Sequence, residues 1–164
     1  MAVLMALLQG VLSGQEPLLA EFQEKWQNAR AYTLELAESM PADSYAFAPT
    51  EDQMSFSAQL THIVRNMAWL SHSYLGGPRL ALGAEPLTEK SACLALLKEG
   101  FDSTATAVAQ LDPATLDEQV DFFAGPKTRR QILILLNDHL THHRGQLIVY
   151  LRLQGIKPPR YRGW

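Results

Sequence analysis

Along the first forty residues, Leu19, Phe22, Trp26, Ala29, Leu36 and Met40 recur at intervals of three, four or seven positions. That period puts side chains on one face of an α-helix. It predicts an amphipathic helix over about Glu16 to Met40, stopped by Pro41. A connector with Pro49 follows, and then Leu60, Ile63, Met67, Leu70 and Tyr74 mark a second apolar stripe. Ser55 or Ser57 is placed to cap that helix, and Gly76-Gly77-Pro78 ends it after about Leu75. A loop rich in Gly and Pro leads to Thr88, a candidate cap for a third helix ending near Leu111, before Asp112-Pro113. Thr128-Arg-Arg-Gln131 has capping-box spacing, in which the Thr hydroxyl and the Gln side chain satisfy free backbone donors at a helix start. The fourth helix it opens should reach about Gln154, where Gly155 and Pro158-Pro159 forbid continuation. No strand is expected.

Four such helices bury their stripes together only as a bundle, so the predicted fold class is all-α, a four-helix bundle. The connections are long for a minimal up-and-down bundle, so at least one is expected to cross over or line a site. Residues 16–164 form the bundle domain, with the tail Lys157 to Trp164 lying back across it. Residues 1–15 are read as an apolar N-terminal arm or extra helical turn. They resemble a signal peptide superficially, but no Lys or Arg precedes Lys25 and the run is too short to span a bilayer.

Composition narrows the function classes. Apolar residues at 47% and charged residues at 19% are globular values, with material for one core in 164 residues. The net charge of −3 and the lack of a basic block argue against nucleic acid as a partner. The single cysteine, Cys93, excludes an internal disulfide, and with no membrane span the expected location is the cytoplasm.

The chemistry is concentrated in Asn137-Asp-His-Leu-Thr-His-His-Arg-Gly-Gln146, which holds three of the five histidines. On a helix His139 and His143 lie about 40° and one turn apart, so both imidazoles can address one ion. His139 with His142 is the alternative pair, presenting its rings less nearly in line. Two histidines leave a divalent ion short of ligands, and open sites take three plus water. His62 or His72 must then supply the third. His62 stands beside Asn66 and Trp69 at the rim of an apolar stripe and is preferred, while His72 suits a helix-end cap. The competing reading is a polar network of histidines without an ion. Gln146, Asp138 and Asn66 are candidates for outer contacts that hold the rings. Arg144 points about 140° from His139 and is expected in a salt bridge or subunit contact. Gly145, costly inside a helix, suggests close approach of another helix or the tail.

The string Asp138-His-Leu-Thr-His-His-Arg-Gly-Gln146, with Tyr150-Leu-Arg152, Gly155 and Pro158-Pro-Arg-Tyr161, resembles the C-terminal motif of the DinB-like (YfiT-like) four-helix metalloproteins. Leu60-Thr-His62-Ile63 resembles that family's second-helix motif, and the likeness runs from about Leu18 to Trp164. The resemblance implies one divalent ion per chain on His62, His139 and His143, zinc or nickel ahead of manganese or iron, with water completing the sphere. It also implies a homodimer. Relatives include transferases of low-molecular-weight thiols, which points to a metal-dependent thiol S-transferase or hydrolase. There a metal-bound thiol or water is the nucleophile, and no side chain is assigned as catalytic. The alternative is a non-catalytic, stress-related metal-binding or dimerisation module with a structural ion.

Overall fold

The computed structural model describes residues 2–164, with side chains from Pro17 onward. The expected arm at residues 1–15 therefore lies outside the residues described in full. Four helices dominate: α1 (Ala2–Ser39), α2 (Phe56–Tyr74), α3 (Lys90–Gln110) and α4 (Arg129–Leu153). Among the described residues no helix is long and apolar enough to cross a membrane.

The local signals act as the sequence suggests at most helix ends. Ser55 accepts from the Ala58 amide at the start of α2, and Thr128 with Gln131 forms the complete capping box of α4. Gly155 takes a φ of 71° just past α4, a left-handed conformation that costs glycine little. Thr88 does not cap α3. That helix begins one residue after Glu89, which makes no side-chain cap bond. The expectation of no strand also needs correction. Gln119–Val120 pairs antiparallel with Lys127–Thr128, a two-residue ribbon in the α3–α4 connection. So short a pairing has no alternating pattern to read. Its turn is pinned by packing, for Phe122 stacks on Trp69 at 5.7 Å between ring centroids and contacts Tyr74.

Contacts between helices set the topology. Trp26 donates to the Phe101 carbonyl and Lys90 to the carbonyls of Glu38 and Met40, so α1 and α3 are antiparallel neighbours. Thr61 meets Leu87, Val64 meets Gly100 and Ser71 meets Gly77 beside Ala107, so α2 and α3 run parallel. The loop between them must travel back along α2, held by Arg65 donating to the carbonyls of Gly83 and Ala84. His62 faces His139 and the Tyr74 carbonyl accepts from Arg129, so α2 and α4 are antiparallel neighbours. Consecutive helices α1 and α2 thus stand diagonally, as do α3 and α4. Their crossing connections are what place α2 beside α4.

The core between these helices is apolar, with Trp26, Leu36, Met40, Phe56, Leu60, Leu97, Phe101, Leu136 and Leu147 buried. The tail lies along α1 as expected. Tyr161 meets Tyr32 edge-on at 6.0 Å, Arg162 pairs with Glu35, and Lys25 sits 4.8 Å over the Trp164 ring.

Two expectations about α4 fail. Arg144 makes no salt bridge among the described residues. It is only 7% exposed, with its guanidinium 5.4 Å from the Tyr32 ring centre and Nη2 donating to Thr141. The face turned away from His139 is the face α1 covers, so the arginine lies between helices rather than in solvent. Gly145 is exposed, and a Cβ built there would meet nothing within 4 Å, so no other part of the described chain approaches it.

Candidate metal centre

Because α2 and α4 are antiparallel, the middle turn of one faces the middle turn of the other. This brings His62 from α2 to His139 and His143 from α4, their possible ligand atoms all within 4.8 Å of one another. The Nε2 atoms of His62 and His139 are 3.1 Å apart. Ring centroids lie 4.9 Å apart for His62 with His139, 4.5 Å for His62 with His143, and 4.4 Å for the α4 pair. Tetrahedral zinc with nitrogens at 2.0–2.1 Å needs N···N spacings of about 3.3 Å, close to that of the His62–His139 pair, and donor atoms up to 4.8 Å apart would have to draw in to reach it. Among the described residues no fourth His, Cys, Asp or Glu joins the group. Three histidine ligands would leave a four-coordinate ion one position to be filled by another group.

Electrostatics keep the rings neutral, as metal ligation requires. Burial first, and then the neighbouring histidines, hold His139 and His143 down at about 4, with Asp138 opposing the shift at His139. Burial and the charge of Arg65 lower His62 as well. These shifts predict a pH effect on the metal-free protein. Between pH 6.5 and 4 the unfolded chain takes up protons at these histidines that the folded chain refuses. Stability should therefore be level above about pH 7 and fall as pH drops from 6.5 towards 4. The urea midpoint against pH measures this. A midpoint unchanged between pH 7 and 5 would count against neutral rings.

The remaining candidates divide. His142 is exposed, and its ring stands edge-on to His143 at 4.9 Å without entering the group. His72 uses Nδ1 on the Gly77 carbonyl at 3.0 Å, the helix-end role its position suggested. Of the proposed outer contacts, Asn66 and Asp138 make no hydrogen bond to the rings, and Gln146 reaches them only through another residue. That residue is Gln59, absent from the sequence reading. Its Oε1 accepts from His143 Nδ1 at 2.6 Å and its Nε2 donates to Gln146 Oε1, while the side chain is 0% exposed. The signal was available: Gln59 precedes His62 by three residues, so the two share a helix face. Cys93 offers no rival chemistry, because burial, with the charge of Glu89, raises its thiol to about 11.

The sequence profile of the DinB family matches residues 13–163. The chain belongs to the DinB family. A curated relative, the uncharacterized protein YjoA of Bacillus subtilis, is 29% identical over 129 residues, covering 77% of this chain and 84% of YjoA. The crystal structure of that DinB-like protein superposes with a TM-score of 0.72 at 26% identity, covering 87% of this chain and 97% of the other. A DinB-like protein from Bacillus cereus gives 0.75 at 20% identity, covering 85% and 95%, a likeness of fold. The match to the whole bundle agrees with the family resemblance of the histidine motifs.

Proposed function

We propose that this DinB-family protein is a divalent-metal-dependent enzyme, a thiol S-transferase or hydrolase, with His62, His139 and His143 holding zinc or nickel. The observation that carries the reading is the meeting of three neutral imidazoles with no carboxylate or thiolate among them. Three neutral ligands leave a bound dication its full charge, which favours chemistry over a purely structural site with four ligands. The ion would supply Lewis acidity, lowering the pKa of a coordinated water or thiol towards neutrality.

The protein's own part is positional. His62 and His139 come from facing helices, so the site is as rigid as the α2–α4 packing. Gln59 holds the His143 ring from behind. The buried, protonated thiol of Cys93 supplies no nucleophile, so in a transfer reaction the sulfur comes from a low-molecular-weight co-substrate. A second copy of the chain is the partner this reading carries, with Val149 and Leu153 half-exposed on successive turns of α4.

The test is turnover of a panel of low-molecular-weight thiols with electrophiles, and of hydrolysable esters and amides, by protein with and without added zinc or nickel. Metal-dependent turnover that disappears in the His139→Ala variant is expected. Metal-loaded protein that stays silent across the panel, and unfolds when chelated, would make the ion structural.

A further inference from the structure

The three rings are not the whole of the site, because His143 is tied to a chain of hydrogen bonds whose direction has consequences. His143 Nδ1 faces Gln59 Oε1 at 2.6 Å, and Gln59 Nε2 faces both Gln146 Oε1 and, at 3.4 Å, the Tyr150 hydroxyl. Gln146 Nε2 in turn lies 2.9 Å from His142 Nε2. A glutamine amide can be turned end for end, and each orientation dictates which nitrogen of a contacting imidazole holds the proton. If Gln59 offers its oxygen, His143 carries its proton on Nδ1 and Nε2 has a lone pair. If Gln59 offers its NH2, the proton moves to Nε2, and that nitrogen is closed to an ion.

One group in the chain has no such freedom. The Tyr150 hydroxyl donates to the Met54 backbone carbonyl at 2.8 Å, and a carbonyl can only accept. With its proton committed, the hydroxyl can only accept from Gln59. The NH2 end of Gln59 must therefore face Tyr150 and the oxygen end must face His143. Gln146 follows in register, oxygen towards Gln59 and NH2 towards His142, whose Nε2 accepts. Gln59 and Tyr150 are 0% and 3% exposed, so no competing solvent sets the orientation.

We propose that Tyr150 is a positioning residue that, through Gln59, fixes His143 as the Nδ1–H tautomer and so keeps its Nε2 lone pair directed at the site. The inference rests on the reading of His143 as a ligand, but the tautomer can be observed without any ion. In the metal-free native protein, nitrogen-15 spectra of the imidazoles should show His143 protonated on Nδ1. The Tyr150→Phe variant keeps the ring that packs at 5.9 Å from Phe47 and 6.5 Å from Phe56, and loses only the hydroxyl. Its His143 should show both tautomers, and its zinc affinity should fall roughly 10-fold, the lower end of what outer partners of a metal ligand contribute. Gln59→Leu, which removes the acceptor, should give the same mixed signal. A Tyr150→Phe protein with His143 still wholly protonated on Nδ1 and zinc affinity unchanged would overturn the proposal. Native protein that shows the Nδ1–H signal but binds no zinc upholds the tautomer assignment and overturns the metal reading alone.

Discussion

The His139→Ala variant is expected to lose stoichiometric zinc or nickel binding while remaining folded. His139 contacts both of the other two, with its Nε2 3.1 Å from that of His62 and its ring 4.4 Å from that of His143. Removing it leaves two nitrogens from different helices, and affinity should fall by on the order of 100-fold or more, beyond what an outer contact contributes. The fold should survive because alanine is the best helix former and the ring is only partly buried. Calorimetric titration with each metal, together with the helical signal in circular dichroism, measures both halves of the expectation. His72→Ala is the control, since its ring lies outside the group and outside the hydrogen bonds behind it, and it should bind like the native chain. Retained binding in His139→Ala with loss in His142→Ala would assign the ligands to the other spacing on α4.

Gly100→Val should destabilise the bundle by roughly 3 kcal/mol, at the upper end of ordinary overpacking. A Cβ at Gly100 would lie 2.7 Å from Val64 Cγ1, closer than real contacts allow. Val64 cannot step aside. It is 1% exposed, and a β-branched side chain in a helix has one strongly preferred rotamer. The helix-propensity gain on replacing glycine by valine is below about 1 kcal/mol, the figure for alanine, and smaller than the clash. For a chain of this size the loss corresponds to a fall in Tm of about 6–12 °C. Val64→Ala in the same chain should recover part of it, because the two positions share one contact and their effects cannot be additive. A Tm equal to or above that of the native protein would show that α2 and α3 separate easily at this crossing. Such loosening would also disturb the three-histidine group, since His62 lies on α2 two residues before Val64.

The elements whose signals are local were legible without a structure. The Thr128–Gln131 capping box, the Ser55 cap and the Gly155 stop each involve atoms within a few residues, so sequence spacing contains the geometry. The one-turn spacing of His139 and His143 is legible for the same reason. His62 is less so, because nothing along the chain says which turn of α2 will face which turn of α4. The family motif singled it out, and the antiparallel packing brings it to the pair. Arg144 misled in the opposite direction, since a charged residue on the side away from the histidines reads as a salt bridge or subunit contact until α1 is known to cover it.

The sequence by itself determined the four helices, most of their ends and the shared helix face of His139 and His143, because helical periodicity and capping are short-range properties of the chain. Only the tertiary structure decided that α1 and α2 stand diagonally, that α2 lies against α4, and that Gln59 and Tyr150 rather than Asp138 or Asn66 stand behind the site. Those are contacts between residues far apart in the chain, His62 and His139 77 positions apart and Gln59 and His143 84. They depend on which apolar faces pack together, and four amphipathic stripes can be paired in more than one order with similar burial. The long connections and the close approach at Gly100 select one order, and that order makes the three histidines neighbours.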